Sequence, residues 1–159
     1  ARFKIVDPLK FDNLYNICKI MGEAICNASQ KQNVRIVRLS NVTGKNFNTN
    51  VFLPSIIFDA IENKEIILKT KLESEKDYVL LEDVLEILPK ICMSGKDKMY
   101  NVGYGQNLKN IDIVEKIKQI TGCTYSVAKD AKEHSFPTIS IQKIQNEFNF
   151  QPTSHKLLD

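Results

Sequence analysis

The 159-residue sequence contains no tryptophan, only two histidines and six glycines, and just three arginines, at positions 2, 35 and 38. Each scarcity narrows the function. The net charge of +3 comes largely from lysines dispersed among 19 acidic residues, so no massed basic surface for nucleic acid is expected. The four cysteines, Cys18, Cys26, Cys92 and Cys123, form no C-x-x-C pair and no Cys/His cluster at zinc spacing, so no metal site is expected. A chain of this size needs no disulfide framework, and a reduced cytoplasmic setting is the simpler expectation. No apolar run approaches the roughly 20 residues that span a bilayer. The opening Ala1-Arg2-Phe3-Lys4-Ile5 lacks the apolar stretch of a signal peptide. A soluble protein with no membrane partner is therefore expected. His134 and His155 have no carboxylate or cysteine at ligand spacing and read as ordinary surface residues.

What is present is alternation of helical and strand patterns. Phe11, Leu14, Ile17, Cys18, Met21, Ala24, Ile25 and Ala28 fall on one stripe of a helix that Asp12 or Asn13 can cap. Val34 to Leu39 is short and β-branched and ends in a loop from Ser40 to Gly44, the pattern of a buried strand. Leu53 to Ile61 reads as a short helix that tolerates Pro54 in its first turn. Glu65 to Thr70 and Asp77 to Leu81 read as strands, and Glu82 onward as a helix that Pro89 should kink or end. Met99 to Val102 is a further strand. Ile111 to Thr121 is a helix capped by Asn110 and stopped by Gly122, Thr124 to Ala128 is a weak strand, and Ser140 caps a last helix reaching about Phe148. Such alternation predicts an α/β fold with parallel pairing.

Tyr15 and Lys19 stand four apart beside the first helical stripe, so phenol and ammonium can share one solvent-lined space. An ammonium about 5 Å from a phenol, at an effective dielectric near 20, favours the phenolate by roughly 3 kcal/mol. That suits proton transfer. Spacing alone decides nothing, because Tyr125 and Lys129 repeat it on a predicted strand, where positions four apart are more than about 12 Å distant. Asp83 and Glu86 also suggest an acidic pair, but at an exposed helix start they serve the helix dipole.

The order of the segments around and downstream of Tyr15 and Lys19 is more telling. The helix Tyr15-Asn16-Ile17-Cys18-Lys19-Ile20-Met21-Gly22-Glu23, with Pro8 upstream, leads to a strand ending Arg38-Leu39-Ser40-Asn41-Val42-Thr43-Gly44. Further on come Lys76-Asp77-Tyr78-Val79-Leu80-Leu81-Glu82-Asp83-Val84, then Tyr100-Asn101-Val102-Gly103-Tyr104-Gly105, then Phe148-Asn149-Phe150-Gln151-Pro152. This series resembles the extended short-chain dehydrogenases of the NAD-dependent epimerase/dehydratase, nucleotide-sugar type: Y-x-x-x-K, R-x-x-N-x-x-G, R-D-[FY]-[VI]-x-V-x-D-V, Y-N-[IV]-G-x-G and L-G-[WF]-x-P. The resemblance covers nearly the whole chain.

The resemblance implies a Rossmann-type α/β fold with a small substrate-binding subdomain, of which residues 1–159 form a C-terminal portion. Residues 1–45 would carry the active-site helix and strand. Residues 46–159 would be mainly the substrate-binding part, with a strand near 98–103 returning to the Rossmann sheet. It implies that Tyr15 is the base on a sugar hydroxyl while hydride passes between the same carbon and NAD or NADP, and that Lys19 binds the nicotinamide ribose. It puts Leu39 and Ser40 by the nicotinamide. Asn41, Val51, Phe52 and Lys76 are carried over as contacts to the nucleotide-sugar substrate, Lys76 matching an arginine on the diphosphate. A homodimer through the 11–28 helix is implied as well.

Departures from the family pattern qualify this. Lys76 lacks arginine's planar two-pronged grip. A second family arginine has no match near Asp130-Ala131-Lys132-Glu133, where Lys129 or Lys132 could substitute. Leu68-Lys69-Thr70 replaces a strand that commonly ends in an aromatic and a glycine near the base. The six glycines make no dinucleotide fingerprint, and the serine or threonine that assists the family's tyrosine does not precede Tyr15. The expectation is a truncated portion that alone neither binds NAD tightly nor turns over. The alternatives are a non-catalytic nucleotide-sugar-binding or dimerisation module, and a reductase of the same superfamily.

Overall fold

The computed structural model describes residues 10–29, 31–44 and 51–153, apart from the side chains of Phe11 and Asp12. Pro8 and His155 lie outside the described residues. The elements run α1 (Phe11–Ala28), β1 (Ile36–Leu39), β2 (Asn41–Thr43), α2 (Phe52–Glu62), β3 (Glu65–Thr70), β4 (Glu75–Leu80), α3 (Leu81–Ser94), β5 (Met99–Val102), β6 (Asn107–Lys109), α4 (Asn110–Thr121), β7 (Thr124–Lys132) and α5 (Gln142–Phe148). Pairing is parallel for β1 with β5, β2 with β4 and β3 with β7, and antiparallel for β4 with β6. The fold is thus α/β with parallel pairing, as the alternation of patterns predicts.

Strand β4 separates two cores because its side chains alternate between faces. Tyr78 joins Leu53, Ile56, Ala60, Ile66, Leu68, Ile113, Val114 and Cys123, so α2, β3 and α4 close one core. Val79, on the opposite face, joins Val84, Ile87, Ile91, Tyr100, Val102, Ile144 and Phe150, so α3, β5 and α5 close the other. Ile66 and Leu68 are fully buried, and each contributes about 1.5–3 kcal/mol of apolar transfer.

Several local expectations are corrected by tertiary context. Pro89 neither ends nor breaks α3, which continues to Ser94. Pro89 is exposed, while Val84, Ile87 and Ile91 hold the opposite face in the core, so the hydrogen bond it removes lies on the solvent side. Asp83 is not an exposed dipole partner: it is buried, and its carboxylate accepts from Thr153 N (2.9 Å) and Thr153 Oγ1 (2.8 Å), tying down the chain after α5. Glu86 pairs instead with Lys90 one turn on.

Three helices do not start at the expected cap positions. Helix α1 starts after Lys10, ahead of Asp12 and Asn13; α4 starts on Asn110 itself; and α5 starts after Ile141, beyond Ser140. Asn110 is buried and spends its amide on Thr70 Oγ1 and the Lys71 carbonyl, both at 2.8 Å. Gly122 does close α4, in the left-handed conformation with φ 70°. Residues 41–43, expected as loop, form β2 because β4 offers them a parallel edge; β6 and the extension of β7 to Lys132 arise in the same way.

Candidate functional site

The alternation of β4 also builds the site. Lys76 shares the Tyr78 face, and its Nζ lies 5.2 Å from the centroid of the Phe52 ring at the start of α2. Burial holds the Lys76 ammonium below the ordinary lysine value. Among the described residues it has no carboxylate within ion-pair distance. Asn41 pairs with Tyr78 in register, and its side-chain amide donates to the Asp77 carbonyl at 2.8 Å. A backbone carbonyl can only accept, so Asn41 Oδ1 faces the other way and stays available to a donor. The structure therefore brings Asn41, Phe52 and Lys76 together, with Val51 preceding Phe52 as the N-cap of α2 and supplying no side-chain hydrogen bond.

Leu39 ends β1 and Ser40 follows it, immediately before Asn41, at the carboxyl end of a parallel strand, where open α/β sheets bind ligands. Leu39 is exposed; the backbone N–H of Ser40 donates to the Val102 carbonyl at 2.9 Å. The Ser40 hydroxyl is buried without a hydrogen-bond partner.

Helix α1 runs antiparallel to β1. Lys98, whose carbonyl accepts from Ile36 N–H, reaches Ser29 at the foot of α1, and Arg38 forms a two-pronged ion pair with Glu23. That pair depresses the Glu23 carboxyl below its usual range. From Ser29 to Glu23 the helix rises roughly 9 Å, against roughly 7 Å from the start of β1 to Arg38. Four residues more bring Lys19 about level with Ser40. Tyr15 stands one turn further, 69% exposed, with Lys19 Nζ 5.2 Å from its ring centroid. The other Tyr-x-x-x-Lys spacing lies on β7, and Tyr125 bonds Glu115 rather than Lys129. Lys129 and Lys132 are exposed on β7.

Sequence reasoning missed two buried groups in β4. The Asp77 carboxylate, 2% exposed, accepts from Tyr104 N (2.9 Å) and Gly105 N (2.6 Å), locking the turn after β5 to the strand that carries Lys76. The available signal was the presence of Lys76-Asp77-Tyr78 and a glycine-containing turn in one chain. The Tyr78 hydroxyl is buried without a partner, and burial pushes its ionisation up to about 12. The unfolded chain releases that proton near pH 10, the folded chain only near 12. The stability Tyr78 contributes is therefore complete below about pH 10 and is lost as the pH rises towards 12, by about 1.4 kcal/mol per unit. Tyr78→Phe is expected to flatten that fall in alkaline urea titrations and to raise stability at neutral pH by about 1 kcal/mol; an unchanged alkaline slope would refute the assignment.

Beside Ser40 the residues fit the nicotinamide end of a dinucleotide: an orphaned hydroxyl, an exposed apolar Leu39 and the Lys19 ammonium at the same level. No group of three or more metal-ligating side chains is found among the described residues. No helix among them is long and apolar enough to cross a membrane.

A sequence model of the NAD dependent epimerase/dehydratase family matches residues 4–103. No curated protein matches the chain by sequence. Among solved structures, the chain is similar to a dTDP-glucose 4,6-dehydratase from Bacillus anthracis in complex with NAD, at 23% identity and a TM-score of 0.79, covering 96% of this chain and 51% of that one. It is similar to an ADP-L-glycero-D-manno-heptose-6-epimerase from Helicobacter pylori, at 24% identity and a TM-score of 0.70, covering 96% of this chain and 48% of that one. A UDP-glucose 4-epimerase from Thermotoga maritima with UDP-glucose has a TM-score of 0.69 at 16% identity, covering 89% of this chain and 47% of that one. The chain spans about half the length of these structures.

Proposed function

The chain belongs to the NAD dependent epimerase/dehydratase family, and from that membership we propose that it is the substrate-side part of an enzyme that epimerises or dehydrates a nucleotide-sugar. The observation that carries this reading is the Lys76 ammonium, half buried on the Phe52 ring beside Asn41, with no carboxylate within ion-pair distance among the described residues. A cation desolvated without a partner costs free energy, and an anionic ligand offsets that cost. A nucleotide diphosphate supplies the charge. Asn41 Oδ1 then accepts from a hydroxyl or amide of the ligand, and Val51 and Phe52 bound its path.

Tyr15 takes the proton from the sugar hydroxyl, and Lys19 favours the phenolate across one helical turn. The Glu23–Arg38 ion pair holds both at the end of β1 where Leu39 and Ser40 face the ligand. A bound NAD or NADP supplies the hydride exchange at the carbon whose hydroxyl Tyr15 deprotonates. Residues 1–45 carry this proton-transfer part and residues 46–159 mainly the substrate part. The 159 residues by themselves hold NAD weakly and do not turn over, since their groups reach only the nicotinamide end. Calorimetry with NAD checks this: tight binding would overturn it.

The reading is tested on the protein that carries this chain, incubated with NAD and a panel of nucleotide-sugars. Conversion of one sugar without net consumption of cofactor is expected, and stoichiometric consumption of reduced cofactor would identify a reductase instead. Lys76→Met is expected to weaken nucleotide-sugar binding by about ten- to a hundredfold, the loss of one charge-assisted contact. Unchanged affinity would remove Lys76 from the site and the reading with it.

A further inference from the structure

Helices α2 and α4 lie side by side and run the same way. Each leads into a strand, β3 or β7, and those strands pair in parallel. The turn after α2 meets the start of β7, where the Thr124 N–H donates to the Lys64 carbonyl at 3.0 Å. Between the two helices runs a groove of about 500 Å³. Leu53, Ile57 and Ile61 stand four apart on α2 and face Ile113, Ile117 and Ile120 of α4 across it. From Leu53 to Ile61 the helix rises roughly 12 Å, which sets the length of the groove.

Leu53 and Ile113 are 6% and 1% exposed, whereas Ile61 and Ile120 are 48% and 71% exposed, so the groove is deep at the amino ends of the helices and opens towards their carboxyl ends. Thr43 and Leu80, paired in register on β2 and β4, close the deep end, with Glu82 beside them. Phe52, which carries the Lys76 ammonium, lies on another stripe of α2 and is not part of the lining. The groove is therefore separate from the proposed substrate site, and its occupancy does not depend on that reading.

Two features of the lining define a ligand. Every apolar side chain in it is Leu or Ile, so an alkyl chain finds contact along its whole length, while a planar ring finds no aromatic partner to stack on. Lys116 stands half buried on the wall between Ile113 and Ile117, and among the described residues it has no carboxylate within ion-pair distance, that of Glu82 included. Its stem can lie along the apolar wall while the ammonium reaches the rim. The volume falls within the roughly 300–1,000 Å³ of small-molecule sites.

We infer that the groove between α2 and α4 binds a free medium-chain aliphatic acid, its alkyl chain between the two Leu/Ile rows and its carboxylate on the Lys116 ammonium. The Glu82 carboxylate repels an anion from the deep end, so the methyl end enters first and the acid group stays towards the opening. Occupancy removes Ile61 and Ile120 from water and gives Lys116 a counter-charge.

Calorimetric titration of the 159-residue chain with sodium decanoate, decylammonium chloride and sodium naphthoate, each kept below its micelle concentration, tests this. Decanoate is expected to bind saturably at a single site, with decylammonium and naphthoate weaker by about tenfold or more. Lys116→Met should weaken decanoate about tenfold, and Lys116→Arg should retain it. Ile120→Asp should weaken it by at least as much, since it sets a carboxylate in the path of the chain. Ile120 is largely exposed, so that variant keeps its fold; should its thermal midpoint fall, the two Lys116 variants carry the test. Uptake without saturation, equal affinity for decanoate and decylammonium, or decanoate affinity unchanged in Lys116→Met overturns the inference. A dimer in sedimentation that Ile120→Asp dissociates and decanoate does not would put a second copy of the chain in the groove, and overturns it as well.

Discussion

Tyr15→Phe is expected to leave nucleotide-sugar binding intact and to lower turnover of the full enzyme by about 10²- to 10⁴-fold, the usual contribution of a positioned general base. The phenol is highly exposed and belongs to neither core cluster, so removing one oxygen disturbs no core. Stability should be unchanged, which separates chemistry from folding. Lys19→Met should lower turnover too, through loss of the charge that favours the phenolate, and should weaken cofactor binding in addition. Steady-state kinetics with the converted nucleotide-sugar, beside equilibrium binding of the same ligand, provide the measurement. Turnover within about threefold of the unaltered enzyme in Tyr15→Phe, well short of the base's roughly 10²-fold minimum, would place the base elsewhere.

Asp77→Ala is expected to cost about 3–5 kcal/mol, the largest single-residue loss of stability anticipated in β4. The Asp77 carboxylate serves the N–H groups of Tyr104 and Gly105, and each charge-assisted bond contributes about 1.5–3 kcal/mol where the donor has no alternative. Alanine leaves both donors short of partners inside a packed turn. A loss of that size lowers the thermal midpoint of a chain this long by roughly 10 °C. Gly103→Ala should act on the same contact from the other side, because a Cβ there would meet Asp77 Oδ1 at 2.8 Å. Asp77→Asn keeps one acceptor oxygen and should lose about half as much. Urea unfolding, together with hydrogen exchange at Tyr104 and Gly105, reports on it; an unchanged midpoint with both amides still protected would show that the turn holds without Asp77.

Much of the fold was legible because period and composition act locally. The stripe from Phe11 to Ala28 becomes α1 over those same residues, Glu65–Thr70 and Met99–Val102 become strands over the expected spans, and Gly122 stops α4. Caps were less legible. Asn110 has the chemistry of a cap, yet β3 lies close enough to take its amide, and no local rule contains that neighbour. Pro89 is a breaker by local rule, but it falls on the solvent side of a helix whose other face is anchored in a core.

The site divides in the same way. Tyr15 and Lys19 share a helical face because four residues are one turn, and the motif order around Asn41 and Lys76 could be read off the chain. That Lys76 stands on Phe52, that Asn41 is oriented by the Asp77 carbonyl, and that Glu23 clasps Arg38 are contacts between residues 15 to 36 positions apart. Periodicity and residue chemistry belong to the chain and survive without a fold, so the sequence by itself determined which segments are helix or strand and which side chains can carry a proton or a phosphate. Burial and partnership depend on which segments meet, and only the tertiary structure decided that Lys76 is half buried with no carboxylate within ion-pair distance among the described residues, and that Asp77 is spent on two backbone amides.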